Sequence, residues 1–220
     1  MKIGLTYIIF VIDRSGSMGS IRDDMIGGFN AFIEAQKKLP GECKVFAYKF
    51  DDSYEPIFED LDINQVPSLN RDNYVPHGWT ALYDSLGKTI VDIGAKLSAL
   101  KEEDRPEKVL FVTITDGEDN RHLQHEDAIR YDAAKVKKMV DHQTNNYKWN
   151  FAYIGANQDA WAVGGSMGVA AAASLNYTAD SIGTAYAFSS LSDSTSTYRK
   201  SCGSDAKFAF DKKDEKKANA

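Results

Sequence analysis

The chain has 220 residues and a net charge of −6, from 26 basic and 32 acidic side chains. This length is enough for one domain with a sizeable core. An acidic chain without a basic stripe disfavours nucleic acid binding through phosphate contacts. The two cysteines, Cys43 and Cys202, lie far apart in the sequence, which favours two free thiols over a disulfide.

Short apolar runs alternate with amphipathic segments along the first part of the chain. Residues 7–12 are apolar and rich in β-branched side chains, which predicts a buried central strand. Apolar residues at helical spacing predict a helix over 20–39. Strands are predicted over 44–50 and 54–59. Their short connection, with Pro56 in the second strand, predicts an antiparallel hairpin at a sheet edge.

The same alternation continues to residue 200. After an irregular stretch over 60–79, the pattern predicts helices over 82–100, 129–140, 158–167 and 179–200, and strands over 109–114, 149–154 and 174–177. Such alternation predicts a doubly wound α/β sheet, mostly parallel, with helices on both faces. We place one domain at 1–202. Residues 203–220 are charged and lack apolar periodicity, so we expect a solvated, disordered tail.

The sequence gives no sign of export or of a membrane span. Lys2 precedes a mostly apolar run, but no small-residue cleavage site follows it. No apolar run approaches the ~20 residues that cross a bilayer. We therefore expect a cytoplasmic protein.

Oxygen-bearing side chains follow two of the most apolar strands. Asp13, Ser15 and Ser17 come directly after the first strand in a D-x-S-x-S pattern, and Asp116 follows the strand over 109–114. Thr80 lies near the start of the helix predicted from residue 82. Ligands of parallel sheets bind outside the carboxyl ends of the strands. Carboxylates with hydroxyls form the all-oxygen set that a small hard cation such as Mg²⁺ prefers.

With these residues in this order, the chain resembles a von Willebrand factor type A domain that carries a metal-ion-dependent adhesion site. The resemblance covers about residues 5–200, and it is strongest to stand-alone intracellular type A proteins of bacteria and their phages. It implies a six-stranded Rossmann-like sheet of order 3-2-1-4-5-6 with an antiparallel third strand, in agreement with the predicted hairpin.

The resemblance also implies the metal ligands and the binding chemistry. The implied ligands are Asp13, Ser15, Ser17, Thr80 and Asp116. In such sites hydroxyl oxygens bind the metal directly, aspartates bind it directly or through water, and one coordination position stays open for an acidic residue of a partner. The second motif element often reads Gly-Gly-Thr, whereas this chain has Trp79 in the middle position. Trp79 could pack the loop down or form an apolar rim for a partner.

The charge balance favours adhesion over catalysis. Asp13 and Asp116 together offset the charge of Mg²⁺, so a partner's Asp or Glu can replace a metal-bound water without meeting a third fixed anion. Mn²⁺ and Ca²⁺ share the same oxygen ligands and stay open as alternatives. We therefore expect a module that binds another protein, is not an enzyme, and contacts neither nucleic acid nor a membrane.

Other readings of the same residues stay open. Two aspartates and a divalent ion also describe phosphoryl-transfer and hydrolytic enzymes. A nucleophilic-aspartate phosphatase, however, normally carries a second acidic residue two positions after the first, where this chain has Ser15, and no Lys or Arg is clearly placed to hold phosphate. An accessory subunit of a ring ATPase and a scaffold without bound metal are the remaining alternatives.

Several polar residues near the motif have more ordinary expected roles. His122 and His125 are close in sequence, but a loop with two histidines and no cysteine is typical of a solvated surface rather than of a zinc site. His77 is expected at the rim of the metal loop and not as a ligand. Asp84, one turn after Thr80, is expected to orient the loop or cap the helix.

Overall fold

The structure is a computed structural model that describes residues 1–124 and 129–211. Within these ranges the strands are β1 (Lys2–Asp13), β2 (Cys43–Phe50), β3 (Tyr54–Asp62), β4 (Pro106–Thr115), β5 (Asn150–Ala156) and β6 (Ser174–Tyr177). The α-helices are α1 (Arg22–Lys37), α2 (Leu82–Ala99), α3 (Ala133–Tyr147), α4 (Ala160–Ser166) and α5 (Ser181–Lys200).

The six strands form one sheet in the order β3-β2-β1-β4-β5-β6. All neighbouring strands are parallel except β2 and β3, which are antiparallel. The predicted fold class, strand order and edge hairpin are therefore confirmed. From β1 the chain continues to β2 on one side, and later returns to β4 on the other side. The strand order thus reverses between β1 and β4, which is where doubly wound sheets bind their ligands.

The core lies on both faces of the central strand. Residues 8–12 of β1 are completely buried, as expected for a strand covered by helices on both sides. On one face, the ring of Phe10 packs edge-on against Phe29 and Phe32 of α1. Helix α5 lies beside α1 so closely that a Cβ on Gly28 would stand 2.2 Å from the ring of Phe188. Helices α2 and α3 cover the opposite face.

Several predicted boundaries differ from the structure, among them the start of β1 at Lys2 and of β4 at Pro106, and two of the differences have a clear local cause. Strand β3 continues to Asp62, three residues beyond the predicted end, because Val45 of β2 still pairs with Leu61. The helix predicted from Ile129 begins at Ala133 instead, because the side chain of Asp132 accepts the N–H of Lys135 and caps the helix there. Ile129 itself is 66% exposed.

The predicted tail is partly packed. Phe208 and Phe210 are buried, and their rings meet edge-to-face with centroids 5.1 Å apart. The N–H of Phe208 donates to Oδ1 of Asn150 at 2.9 Å, which ties the segment to the amino-terminal end of β5. The expectation of a solvated tail from residue 203 is thus wrong for this segment. Residues 212–220 of that predicted tail lie outside the described residues.

In the described ranges no helix combines the length and the apolar character that crossing a membrane requires. The carboxyl ends of β1, β2 and β4 lie side by side, with the loops that follow them and the start of α2 at the same edge. The predicted site residues belong to these loops.

Candidate metal centre

Asp13 is the last residue of β1 and its carboxylate is held on both oxygens. Oδ1 accepts the N–H of Ser15 at 2.7 Å, and Oδ2 accepts the hydroxyl of Thr115 at 2.6 Å. The buried hydroxyl of Tyr74 donates to the carbonyl oxygen of Asp13 at 2.6 Å. The carboxylate is therefore fixed in position before any ligand arrives.

A row of oxygens joins the first motif element to the third. The hydroxyl of Ser17 donates to Oδ1 of Asp116 at 2.7 Å. The hydroxyl oxygens of Ser15 and Ser17 lie 3.1 Å apart. Ser17 is in the first turn of a short 3₁₀ helix, Gly16–Ile21, that bends the chain away from the sheet after β1. The two loops after β1 and β4 thus present their polar atoms to the same place.

Thr80 reaches this place from the second motif element. Its side chain is buried, and its N–H donates to Oδ1 of Asn120 at 2.9 Å. A Cβ on Gly117, the residue after Asp116, would stand 3.5 Å from the hydroxyl oxygen of Thr80. Thr80 therefore lies beside the third element, although no direct hydrogen bond joins it to the other four predicted residues in the part of the chain that the structure describes.

Backbone contacts join the first and second elements. The N–H of Gly16 donates to the carbonyl of Gly78 at 3.2 Å, and the N–H of His77 donates to the carbonyl of Arg14 at 2.8 Å. Gly78 has a φ of +71°, a left-handed conformation that favours glycine. A Cβ at Gly78 would also stand 2.6 Å from Oδ1 of Asp52. Glycine is therefore required at this position of the loop.

Burial sets the protonation of both aspartates. Burial, together with a smaller effect of the nearby charge of Asp116, raises the pKa of Asp13 to about 7. The hydrogen bonds from Thr115 and Ser15 oppose this shift. Burial also raises the pKa of Asp116, while the hydrogen bond from Ser17 lowers it. Burial makes ionisation of these two neighbouring carboxyl groups unfavourable, and a cation bound between them would reverse that effect. The donor set therefore fits a hard divalent ion.

The structure brings all five sequence-predicted residues to one edge of the sheet, and their role as metal ligands stays a prediction. Thr115, Tyr74 and Asn120 support the site and were missed. Thr115 could have been suspected, because a hydroxyl directly before Asp116 at the end of a strand faces the neighbouring strand end. Tyr74 and Asn120 lie in irregular loops, where no periodic pattern marks a contact.

Trp79 and the histidines have clear placements. The side chain of Trp79 is 58% exposed, which favours an apolar rim over packing of the loop. Nδ1 of His122 forms a 3.0 Å hydrogen bond with Oδ2 of Asp84. Asp84 also accepts the N–H groups of Leu123 and Tyr131, so its expected role in orienting the loop agrees with the structure. His125 lies outside the described residues.

Comparisons with known proteins identify the fold. No protein-family model matches the chain, and no curated protein matches it either. Among solved structures, proximal thread matrix protein 1 from the mussel byssus, with a zinc-occupied MIDAS motif, matches with a TM-score of 0.57 and 16% identity over 88% of this chain and 46% of that one.

Two bacterial structures match over a similar share of this chain. A von Willebrand factor type A protein from Catenulispora acidiphila has a TM-score of 0.55 and 13% identity over 87% of this chain and 42% of that one. The vWF domain of the type V pili tip protein Mfa5 from Porphyromonas gingivalis has a TM-score of 0.57 and 8% identity over 92% of this chain and 98% of that one. The chain spans less than half of the mussel and Catenulispora chains, and it has the fold of a von Willebrand factor type A domain.

Proposed function

We propose that this chain is a metal-dependent protein-binding module that captures an Asp or Glu side chain of a partner protein through a divalent cation, with Mg²⁺ as the preferred ion. One observation carries the proposal: the polar atoms of Asp13, Ser15, Ser17 and Asp116 form a continuous hydrogen-bonded row, with Thr80 beside it. The two carboxylates balance the charge of one divalent ion, and the three hydroxyls add neutral ligands.

When bound, the cation supplies positive charge that a partner's carboxylate can meet at short range. The chain's own residues determine where that happens. Asp13 is immobilised by Thr115 and Ser15, and Asp116 is oriented by Ser17. Because the hydroxyls carry no charge, the incoming carboxylate meets no surplus of negative charge beyond the two aspartates.

The comparisons support a binding role in general. One matching structure has a metal in a motif of this type, and another is the tip protein of a pilus. A thread matrix protein and a pilus tip protein are not named as enzymes, which supports a non-enzymatic role for this chain as well. The cytoplasmic location and the bacterial or phage origin stay predictions from the sequence.

The position of Arg14 argues against the phosphoryl-transfer alternative. Arg14 is the basic residue nearest the motif in sequence, but it is buried and its Nε lies 2.9 Å from Oδ2 of Asp51. Its Nη2 contacts Ser53 and Glu55. A guanidinium held in this way is turned to the β2–β3 hairpin and is not a clamp for a phosphate at Asp13.

Isothermal titration with Mg²⁺, followed by affinity capture, tests the proposal. The wild-type chain is expected to bind Mg²⁺ and to retain a partner that EDTA releases and renewed Mg²⁺ restores. Asp13→Ala should lose both properties, whereas Asp92→Ala, on the exposed side of α2, should keep them. Equal capture with and without EDTA would contradict the proposal, as would Asp13-dependent hydrolysis of p-nitrophenyl phosphate.

A further inference from the structure

A second group of metal-ligating side chains lies at the end of β2. Asp51 and Asp52 follow this strand directly, and His77 comes from the loop that leads to Thr80. One ligand atom from each of the three residues lies within 4.8 Å of the other two. None of them is among the five residues of the candidate metal centre.

Asp51 is the buried member of the group. Its side chain is 0% exposed, and its Oδ1 accepts both the N–H and the hydroxyl of Ser53, at 2.6 and 2.7 Å. No group among the described residues donates a hydrogen bond to Oδ2. Nε of Arg14 and Nδ1 of His77 are close to it, at 2.9 and 3.0 Å, but neither is aligned as a hydrogen-bond donor.

A buried carboxylate oxygen without a hydrogen bond is uncommon and costly. His77 and Asp52, the other two members of the group, are both accessible from solvent. In the tautomer with its proton on Nε2, His77 has a free lone pair on Nδ1. Tetrahedral zinc ligands lie roughly 2.0–2.2 Å from the ion, so neighbouring ligand atoms are about 3.3–3.6 Å apart. The 3.0 Å between Nδ1 of His77 and Oδ2 of Asp51 is slightly shorter than that, and the two atoms are close enough to bind one ion.

A second histidine–aspartate pair, His122 and Asp84, shows the contrast. Nδ1 of His122 also lies 3.0 Å from a buried carboxylate oxygen, Oδ2 of Asp84, but that contact is a hydrogen bond. The same oxygen accepts the N–H of Leu123 as well. Asp84 is therefore saturated by donors, whereas Asp51 has an oxygen that a cation could use.

The charged side chains around Asp51 have an excess of negative charge. Arg14 offsets one negative charge, but it is shared between Asp51 and Glu55, whose Oε1 lies 3.1 Å from Nη2. Oδ2 of Asp52 accepts only the side-chain amide of Gln124 among the contacts described, at 2.6 Å. Lys49 also pairs with Glu55, with its Nζ 3.4 Å from Oε2. The three carboxylates therefore carry one negative charge more than these two cations offset.

We propose that Asp51, Asp52 and His77 form a second divalent-cation site, with Nδ1 of His77 and one oxygen of each aspartate as ligands and water in the remaining positions. An imidazole nitrogen beside carboxylate oxygens suits Mn²⁺ or Zn²⁺ better than Mg²⁺. This site differs in ligand chemistry from the all-oxygen centre at Asp13 and does not depend on the function proposed for that centre.

Counting bound Mn²⁺ tests the site. The full chain is stripped with EDTA, dialysed and titrated with Mn²⁺, and free Mn²⁺ is measured by electron paramagnetic resonance. The wild type is expected to bind two ions, of which excess Mg²⁺ displaces one. His77→Ala and Asp52→Asn should each bind one ion that Mg²⁺ displaces. His122→Ala, the matched histidine control, should still bind two.

The variants separate this inference from the proposed function. If His77→Ala and Asp52→Asn both bind as many ions as the wild type, the second site is overturned. If Asp13→Ala binds as many ions as the wild type while His77→Ala loses one, the second site is supported and the centre at Asp13 is contradicted. Asp51 is left unchanged because its substitution would leave Arg14 buried without its partner. Circular dichroism verifies that each variant is folded, and Asp52→Asn decides the test if His77→Ala is not.

Discussion

At the scale of single residues, the protonation of Asp13 should control metal affinity. Burial raises its pKa to about 7, and a cation must displace the proton that is bound below that pH. The ionised fraction falls about tenfold from pH 8 to pH 6, so we expect the Mg²⁺ dissociation constant to rise by about tenfold. Calorimetric titrations at both pH values, in buffers of different ionisation enthalpy, would also detect the released proton. A pH-independent constant would contradict this expectation.

The same residue should affect the stability of the metal-free chain. Because the folded-state pKa of Asp13 lies above its ordinary value of 3.8, its contribution to stability is present at low pH and is lost as the pH rises towards 7. Asp13→Asn removes this ionisation. In EDTA we expect the variant to have a higher Tm than the wild type at pH 8 and a smaller advantage at pH 5.5. In Mg²⁺ at pH 8 the order should reverse; equal destabilisation in EDTA and in Mg²⁺ would refute the argument.

Two tryptophans of opposite exposure make a matched pair. Trp79 is 58% exposed at the rim of the metal loop, whereas Trp149 is 3% exposed before β5. Trp79→Ala should change the free energy of unfolding by about 0.5 kcal/mol or less, and Trp149→Ala should lower it by about 3–5 kcal/mol. Urea unfolding measures both. If Trp79→Ala is as destabilising as Trp149→Ala, the rim placement of Trp79 is wrong.

Single residues also mark the limit of prediction from sequence. Asp13, Ser15, Ser17, Thr80 and Asp116 could be found because a motif fixes their spacing and each lies where a strand ends or a helix starts. Thr115 and Tyr74 act on Asp13 through contacts that depend on how strands and loops meet. Asp51 was not singled out, because its buried oxygen and the approach of His77 follow from the three-dimensional path of two separate loops.

At the scale of elements, the presence and type of the strands and helices were predicted better than their ends. The apolar runs of β1 and β4 identified central strands correctly, since only a strand buried on both faces is continuously apolar. The start of α3 was missed because Ile129 continues the apolar spacing of the helix in sequence, while Asp132 stops the helix by capping it. A side-chain cap outweighed hydrophobic periodicity.

Asp84, near the start of α2, should hold the loop between β4 and α3. Its carboxylate accepts the N–H groups of Leu123 and Tyr131, and the ring of Tyr131 lies over Gly87, within 2.5 Å of where a Cβ would be. Asp84→Ala leaves several buried donors without an acceptor, so we expect a loss of stability of about 3–5 kcal/mol. We also expect faster tryptic cleavage after Arg121. Asp92→Ala on the same helix is the control, and equal cleavage of both variants would contradict this role.

At the scale of the whole molecule, the sheet order could be expected from the sequence, but the path of the chain after α5 could not. Alternating strands and helices restrict the possible topologies severely, and the resemblance selected one of them. Residues 206–210 contain only two large apolar side chains, Phe208 and Phe210. That pattern is too short to indicate burial, and the segment packs only because Tyr198 and Asn150 provide a place for it.

This packed segment should stabilise the domain without influencing the candidate metal centre. Phe208 contacts Tyr198 of α5 and the amino-terminal end of β5, whereas the centre lies at the carboxyl ends of β1 and β4. Removing the buried ring in Phe208→Ala should cost about 3–5 kcal/mol of unfolding free energy. The exposed neighbour Lys207→Ala should cost little, and both variants should keep the wild-type Mg²⁺ dissociation constant because they lie at the end of the sheet opposite to the centre. Urea unfolding and calorimetric titration measure the two quantities separately. If Phe208→Ala is as stable as Lys207→Ala, the segment does not belong to the core, and a weakened Mg²⁺ affinity would mean that the two ends of the sheet are coupled.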